Sequence, residues 1–599
     1  MSGTAATLRR AARPARRPGP GAGIATLLRP RRRLLGLIAV SVLLAKGLDL
    51  VPPLLIQHVV DDALTPRRPE ALLPLGLLTL AATVAGQALN CGAVYLTAVA
   101  AQGALHDLRV RLITHLQRLP IRYYDQTPLG DVISRCTADV ETVDTLFSTG
   151  VISLVANLLR LVLAAAAMLA LSPVLSLVVA LVLPPLVLIT RHFQGQVRAA
   201  TRRTRQAIGL LNTHLQETLG GVEVIRAFGR EAFLTARFRQ ALRAALAVTN
   251  RAVLYSALYS PLMALLAATA TALLLAVGAS GAASWGLSLG TLTAFVLLFG
   301  RFFEPITSLG DDWQTVQSAL AGIERIFEVL ALPAEVPPAA AATTPAPGRI
   351  EIRDLVFGYQ AEQPILHRLS VRILPGEHVA LVGRTGAGKS SILHLLGGLY
   401  APWAGTVRVD GRDPRTLAQE ERRRVVGVVP QTVQLFSGTV WENLTLGDES
   451  VPRAAVERAA QIAGAAAFIQ ALPQGYETPL GGLGPSGGGQ LSAGQRQLLA
   501  LARALVWDPG VLLLDEATAA IDSVSEAAFW AALQEDVRAH GRAVLTVAHR
   551  LATARAAARV LVLEAGCLVE AGAPDTLVRQ GGRFAALVEL ESAGWDWRA

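Results

Sequence analysis

Six apolar runs, at about residues 34–56, 72–100, 146–171, 173–191, 252–279 and 286–309, occupy the first half of this 599-residue chain. A helix needs about 20 residues to cross the hydrocarbon core of a bilayer. Backbone in lipid must satisfy its own hydrogen bonds, so runs of this length predict transmembrane helices. Only Ser172-Pro173 separates the third run from the fourth, which predicts a hairpin with a minimal loop. Composition agrees: 52% of residues are hydrophobic and 17% charged, against about 25% charged in soluble domains.

Charge orients the spans. The first 33 residues carry nine arginines and no acid. Such an arm suits nucleic acid or the cytoplasmic flank of a membrane helix; the apolar run that begins at Leu34 favours the second. No small-residue cleavage site ends that run, so it reads as a span and not as a secretory signal. Two polar segments, about 101–145 and 192–251, separate the second run from the third and the fourth from the fifth, and the latter segment holds ten arginines against Glu217, Glu223 and Glu231. The 279–285 connection is uncharged, and the 57–71 connection is slightly acidic. Arginine on alternate loops predicts that the N-terminus, both polar segments and everything after about residue 310 are cytoplasmic. Both segments read as helical continuations of their spans, with breaks at Tyr123–Gly130 and Leu219–Gly221. Lys46 and Asp49 lie three apart in the first span, where they could pair, and Arg160 lies inside the third. Ionisable groups at that depth face one another, a cavity or the bundle interior. Cys91, Cys136 and Cys567 match no disulfide or metal framework.

A Pro- and Ala-rich linker over 331–348 has semi-rigid spacer composition. Beyond it, strand-like and helix-like runs alternate from 349 to 591, predicting an α/β domain. There the chain reads Gly383-Arg384-Thr385-Gly386-Ala387-Gly388-Lys389-Ser390, after the apolar run Val379–Val382 and before the helical pattern that opens with Ser391. A strand, this loop and a helix are what the phosphate-cradling pattern requires. Glycines let backbone N–H groups approach phosphate oxygens, and the helix N-terminus adds donors and a positive dipole end. Lys389 would reach the β- and γ-phosphates and Ser390 would hold Mg²⁺. Lys389 is one of only two lysines in the chain.

Val511–Leu514 reads as a buried strand that ends in Asp515-Glu516. At the carboxyl end of a strand beside the phosphate loop, Asp515 suits Mg²⁺ and Glu516 suits the attacking water. A second strand, Ala543–Ala548, ends at His549, which could contact the γ-phosphate. Phosphoryl transfer asks mainly for positioning and charge stabilisation, so a few such groups suffice.

Leu491-Ser492-Ala493-Gly494-Gln495-Arg496-Gln497 resembles the signature motif of ATP-binding cassette (ABC) proteins. Tyr359 matches the aromatic that stacks on adenine, Gln431 the Q-loop glutamine, and Ala519–Asp522 the D-loop. The first half is similar to type I exporters of that superfamily at Tyr124-Asp125, Gly130, Ser134-Arg135, Glu217, Gly221, Pro305 and Glu324–Phe327. The resemblance implies a multi-domain membrane protein. A basic arm (1–33) would precede a six-helix α transmembrane domain (34–330), and the linker would lead to an α/β P-loop NTPase domain (349–591) with a short tail (592–599). It implies ATP and Mg²⁺ as cofactors, with Glu516, His549 and Gln431 catalytic and Ser390, Gln431 and Asp515 on the metal. Tyr359 and Gly383 to Ser391 would hold the nucleotide. Leu491, Ser492, Ala493, Gly494 and Gln495 would serve the ATP of a second half-transporter, with Asp522 between the subunits. Patches near 125–130 and 212–221 would dock onto nucleotide-binding domains.

Some positions depart from the family pattern: Ala493 replaces a usual glycine, Gly482 a usual glutamate, and Pro485–Gln490 is a Gly-rich insertion. The 491–522 region looks most like the catalytically intact half of bacterial heterodimeric multidrug exporters, so a different partner subunit is expected, with a homodimer as the alternative. The expected activity is ATP-driven export of hydrophobic or amphipathic small molecules across a bacterial-type cytoplasmic membrane. Lipid, peptide or siderophore-like cargo stays open, and no nucleic acid is expected as a partner.

Overall fold

In a computed structural model, residues 29–335, 349–481, 491–518, 521, 523–548 and 550–592 are described. The expected basic arm up to residue 28, most of the linker, Gly482, the Gly-rich insertion, Ala519, Ala520, Asp522, His549 and residues 593–599 lie outside them. The chain forms two compact units. One comprises Met1–Arg118 and Pro128–Pro333; the other comprises Ala334–Ala599 together with the nine residues Leu119–Thr127.

Among the described residues, the first unit holds six helical stretches long and apolar enough to cross a membrane: Arg29–Leu64, Pro69–Leu116, Leu129–Leu171, Pro173–Gly220, Glu231–Gly281 and Leu289–Leu330. They are taken below as spans 1 to 6. Span 1 packs along span 2, span 3 along span 6, and span 4 along span 5. The helices Leu72–Leu116, Pro173–Gly220 and Glu231–Trp285 contain 45, 48 and 55 residues, so each runs roughly 70–80 Å, more than twice the apolar core of a bilayer. Hydropathy locates only the apolar part of each, and the polar segments continue the same helices. The third run likewise begins further back than its apolar residues, at Leu129, with π-helical turns at Arg135–Asp139 and Leu146–Gly150.

The hairpin between spans 3 and 4 closes on one cap. The backbone N–H of Leu175 donates to Ser172 Oγ at 3.3 Å, and Pro173 occupies the first turn, where no N–H is needed. Within the unit, Phe295, Leu298, Leu175, Leu186 and Leu274 form a buried core. The outward faces carry leucines such as Leu177 and Leu181, which are 73% and 72% exposed. Large apolar side chains on such long exposed faces suit lipid and not water.

The second unit is built on a six-stranded sheet in the order Cys567–Gly572, Arg559–Glu564, His378–Val382, Ala543–Val547, Val511–Asp515, Val426–Val429. All neighbours are parallel except the first pair. Parallel strands are covered on both faces, which is why 378–382, 511–515 and 543–547 are buried at every position. Their parallel course brings the carboxyl ends of five strands to one edge, the place where open α/β sheets bind ligands. A smaller antiparallel sheet, Leu366–Ile373, Ile350–Phe357 and Ala404–Val409, packs its apolar residues against that sheet.

Candidate nucleotide site

The phosphate loop leaves the buried strand at Gly383 and enters the helix Lys389–Leu396 through Gly388. Two of its glycines are required by space and conformation. At Gly383 (φ 153°) a Cβ would fall 2.2 Å from the carbonyl oxygen of Leu563, and at Gly388 (φ 96°) it would meet Leu366 at 2.7 Å. The loop curls around Lys389, whose buried ammonium donates to the carbonyls of Gly383 at 2.6 Å and Arg384 at 2.9 Å. Burial pushes the Lys389 pKa down, while Glu516 and Asp515 pull it back up. The ammonium therefore sits in the field of both acids. Ala387 and Ser391 are buried under the loop, Ser390 is half-buried, and Arg384, Thr385 and Gly386 are exposed. Phosphate oxygens are stronger acceptors than the two carbonyls that Lys389 now engages, so the cradle and its cation fit a polyphosphate.

Asp515 is buried at the end of its strand, and Glu516 follows it with a left-handed backbone, φ 51°. Gln431 lies exposed two residues past the adjoining strand Val426–Val429. The signature residues open a 13-residue helix, Ala493–Leu505, behind a reciprocal cap. The Gln495 N–H donates to Ser492 Oγ at 3.1 Å, and the Ser492 N–H donates to Gln495 Oε1 at 2.9 Å. This is the capping-box pattern, and it accounts for the serine and glutamine three apart.

Several contacts are not recorded by the motifs, even where the residue belongs to one. Gln497 on the signature helix donates to the main-chain oxygen of Glu516 at 2.8 Å. Further along, Arg503 donates to the carbonyls of Asn443 at 2.7 Å and Gln434 at 2.8 Å. The buried carboxylate of Glu526 accepts from Thr518 at 2.7 Å, Thr553 at 3.1 Å and Arg550 at 2.9 Å. It thereby joins residues that flank the positions of Asp522 and His549 in sequence. Their signal in the sequence is faint, a polar residue on an otherwise apolar helix face.

Tyr359 stands edge-on to Phe357 and to Tyr400. Its hydroxyl bonds Ser391 Oγ at 3.1 Å and His394 Nδ1 at 3.0 Å, both on the helix of the phosphate loop. Burial pushes the Tyr359 hydroxyl up, so it stays protonated. Tyr400 in turn donates to Asp125 Oδ2 at 2.5 Å. The nine-residue segment Leu119–Thr127 thus reaches the base-stacking candidate through one intervening ring. The described contacts bring Lys389, Asp515 and Glu516 together, with Tyr359 beside the same helix. Gln497 on the signature helix reaches Glu516 by its bond to the main-chain oxygen.

Known families match both halves: the ABC transporter transmembrane region over residues 35–306, and the ABC transporter family over 366–519. The uncharacterized ABC transporter ATP-binding protein YknV of Bacillus subtilis (strain 168) is 34% identical over 564 residues, covering 94% of this chain and 92% of that one. An ATP-dependent lipid A-core flippase of Aromatoleum aromaticum is 36% identical, over 83% and 82% of the two chains. Among solved structures, a bacterial Atm1-family ABC exporter with ATP bound superposes with a TM-score of 0.77 at 28% identity, covering 94% of this chain and 98% of that one. The phosphate loop and the spans that precede it are therefore parts of one machine: the chain belongs to the ABC transporters, as an exporter-type, multi-pass membrane subunit that works as a dimer and couples ATP hydrolysis to transport.

Proposed function

We propose that the chain drives export of hydrophobic or amphipathic small molecules across the cytoplasmic membrane of a bacterial-type cell, with its N-terminus and nucleotide-binding unit on the cytoplasmic side. The observation that carries the site assignment is the buried Lys389 ammonium, held by the phosphate loop in the field of Asp515 and Glu516. In this reading Gly383 to Ser391 bind the polyphosphate of ATP, and Tyr359 stacks on the base. Ser390, Asp515 and Gln431 would hold Mg²⁺, which would neutralise charge on the transferring phosphoryl group. Glu516 orients and polarises the attacking water, and His549 helps fix it. Leu491 to Gln495 serve the ATP of the opposite subunit, and Asp522 lies between the two. Nucleotide binding favours one orientation of the cavity only through its different affinities for the two states.

A second subunit of different sequence is the proposed partner, because the 491–522 region resembles the intact half of such pairs. Flipping of a lipid is the second reading, favoured by relatives named as lipid A-core flippases at 35–36% identity.

The test is ATP hydrolysis and transport of a labelled amphiphile or lipid in proteoliposomes, by the chain alone and with a co-expressed second subunit. Glu516→Gln is expected to lower turnover about 100-fold or more while nucleotide binding persists. Hydrolysis that survives the substitution would sink the assignment. A stable, transport-active symmetric dimer of the chain alone would sink the heterodimer.

A further inference from the structure

Glu516 adopts a backbone conformation that costs a non-glycine residue free energy, φ 51° at the end of a fully buried strand. Such a residue keeps that conformation only where its surroundings over-determine it. One of the groups that hold it comes from a distant part of the chain. Gln497 is only 4% exposed, sits in the second turn of the helix Ala493–Leu505, and donates through Nε2 to the main-chain oxygen of Glu516 at 2.8 Å. The helix is itself pinned further along, where Arg503 donates to the carbonyls of Gln434 and Asn443. At its opposite end lies the cap in which Ser492 and Gln495 hold each other.

We propose that Gln497 is a positioning residue for hydrolysis: its amide fixes the peptide of Glu516, and with it the direction of the carboxylate, to the helix that begins at Ser492. The inference rests on the reading of Glu516 as the group that acts on the attacking water. The Gln497 side chain is buried and the Glu516 carbonyl part-buried, so solvent is a poor substitute for the amide there. Without it the Glu516 peptide can relax toward the commoner right-handed region and swing the carboxylate away from the phosphate loop. A further consequence is that a shift of the helix N-terminus, where the Ser492 hydroxyl accepts from Gln495 and can still donate its own proton to a ligand, moves the peptide of Glu516. What happens at the signature residues is thereby felt by a carboxylate that belongs to the other nucleotide of the dimer.

The experiment compares the reconstituted full-length wild type with Gln497→Met and Gln497→Leu, both of which remove the donor without burying a charge. It uses whichever assembly hydrolyses ATP, alone or with its partner subunit. Both variants are expected to lose about 10- to 100-fold in kcat, with KM for ATP within about twofold and an unchanged melting temperature. Turnover within about twofold of wild type in both variants would overturn the inference. So would a parallel loss of melting temperature, nucleotide affinity and kcat, since that marks a role in packing alone. Glu516→Gln, run alongside, separates the two claims. If turnover survives Glu516→Gln, the reading of the site fails; if it is lost there and retained in both Gln497 variants, only the positioning role fails.

Discussion

Arg542 in the nucleotide-binding unit and Arg160 in the membrane unit are each held by two carboxylates, and they are held very differently. Arg542 is 2% exposed and closed on every side. Its Nε donates to Asp536 at 2.8 Å, one terminal nitrogen donates to Asp508 at 2.7 Å, and the other donates to the carbonyl of Pro509. Arg160 reaches Glu304 at 3.0 Å but Asp49 only at 3.7 Å, and its buried Nε has no hydrogen-bond partner among the described residues. Lys46 completes the set at 3.4 Å from both Asp49 and Asn90. Four spans, 1, 2, 3 and 6, therefore share one loose network, whereas Arg542 closes a tight clasp that ties Asp536, six residues away, to Asp508 and Pro509. The difference teaches where each half keeps its order. The sheet domain stores it here in short, saturated contacts, and this network of the helix bundle keeps its charges paired but slack, unlike the close grip of Arg325 on the buried Asp139 elsewhere in the bundle.

The comparison can be broken by stability measurements. Arg542→Met strands two carboxylates, one of them buried, and is expected to cost about 3–5 kcal/mol, read from denaturant unfolding of the nucleotide-binding unit. A loss below about 1 kcal/mol, the range of an exposed pair, would show that the clasp is ornamental.

Next in size is a pH effect in the same unit. His378 is buried against Trp530, with ring centroids 4.9 Å apart and nearly parallel planes. Burial pushes its imidazole down to about 4. Because the folded value lies below the unfolded one of about 6.5, protonation favours the unfolded chain. The stabilisation is full above pH 6.5 and is lost as pH falls toward 4, amounting to about 3 kcal/mol. His378→Phe should flatten that part of the pH–stability curve. An unchanged slope would show that the imidazole titrates normally.

The smallest effect is expected in the membrane unit. Arg160→Met should cost only about 1 kcal/mol in detergent or bilayer unfolding, in line with measured interhelical polar contacts in membrane proteins. A cost equal to that of Arg542→Met would erase the distinction between the two halves.

Much of this architecture could be read from residues, and the parts that could not have physical reasons. Six apolar runs locate the spans because lipid leaves a chain no alternative to helix. They cannot show where a helix ends, since Arg198 to Arg205 continue their α-helix unbroken and the polar stretch before Leu146 stays helical through its π-helical turns. Lys46 and Asp49 announce a pair by their spacing, whereas Glu304 and Asn90 join them only through packing of distant segments. In the nucleotide-binding unit, Gly383 to Ser391 and Asp515-Glu516 are legible because contiguous residues build the feature. The bond from Gln497 to Glu516 spans 19 residues and ends on a main-chain oxygen, which no side-chain pattern records. Tyr400 is hidden for the same reason, with its partner Asp125 lying 275 residues away.

The nine residues Leu119–Thr127 give the molecule an unusual wiring. They belong to the nucleotide-binding unit, yet the chain enters them from Arg118 and leaves them into Pro128, both in the membrane unit. The backbone therefore crosses between the units three times. Cutting the linker after residue 333 would sever one crossing and leave two intact. A protease that nicks the linker would yield two fragments on a denaturing gel, yet the segment carrying Asp125 would remain covalently part of the larger one and keep its place against Tyr400. No single cut separates these units, and a fragment that begins at residue 334 is a domain with one of its own pieces left behind.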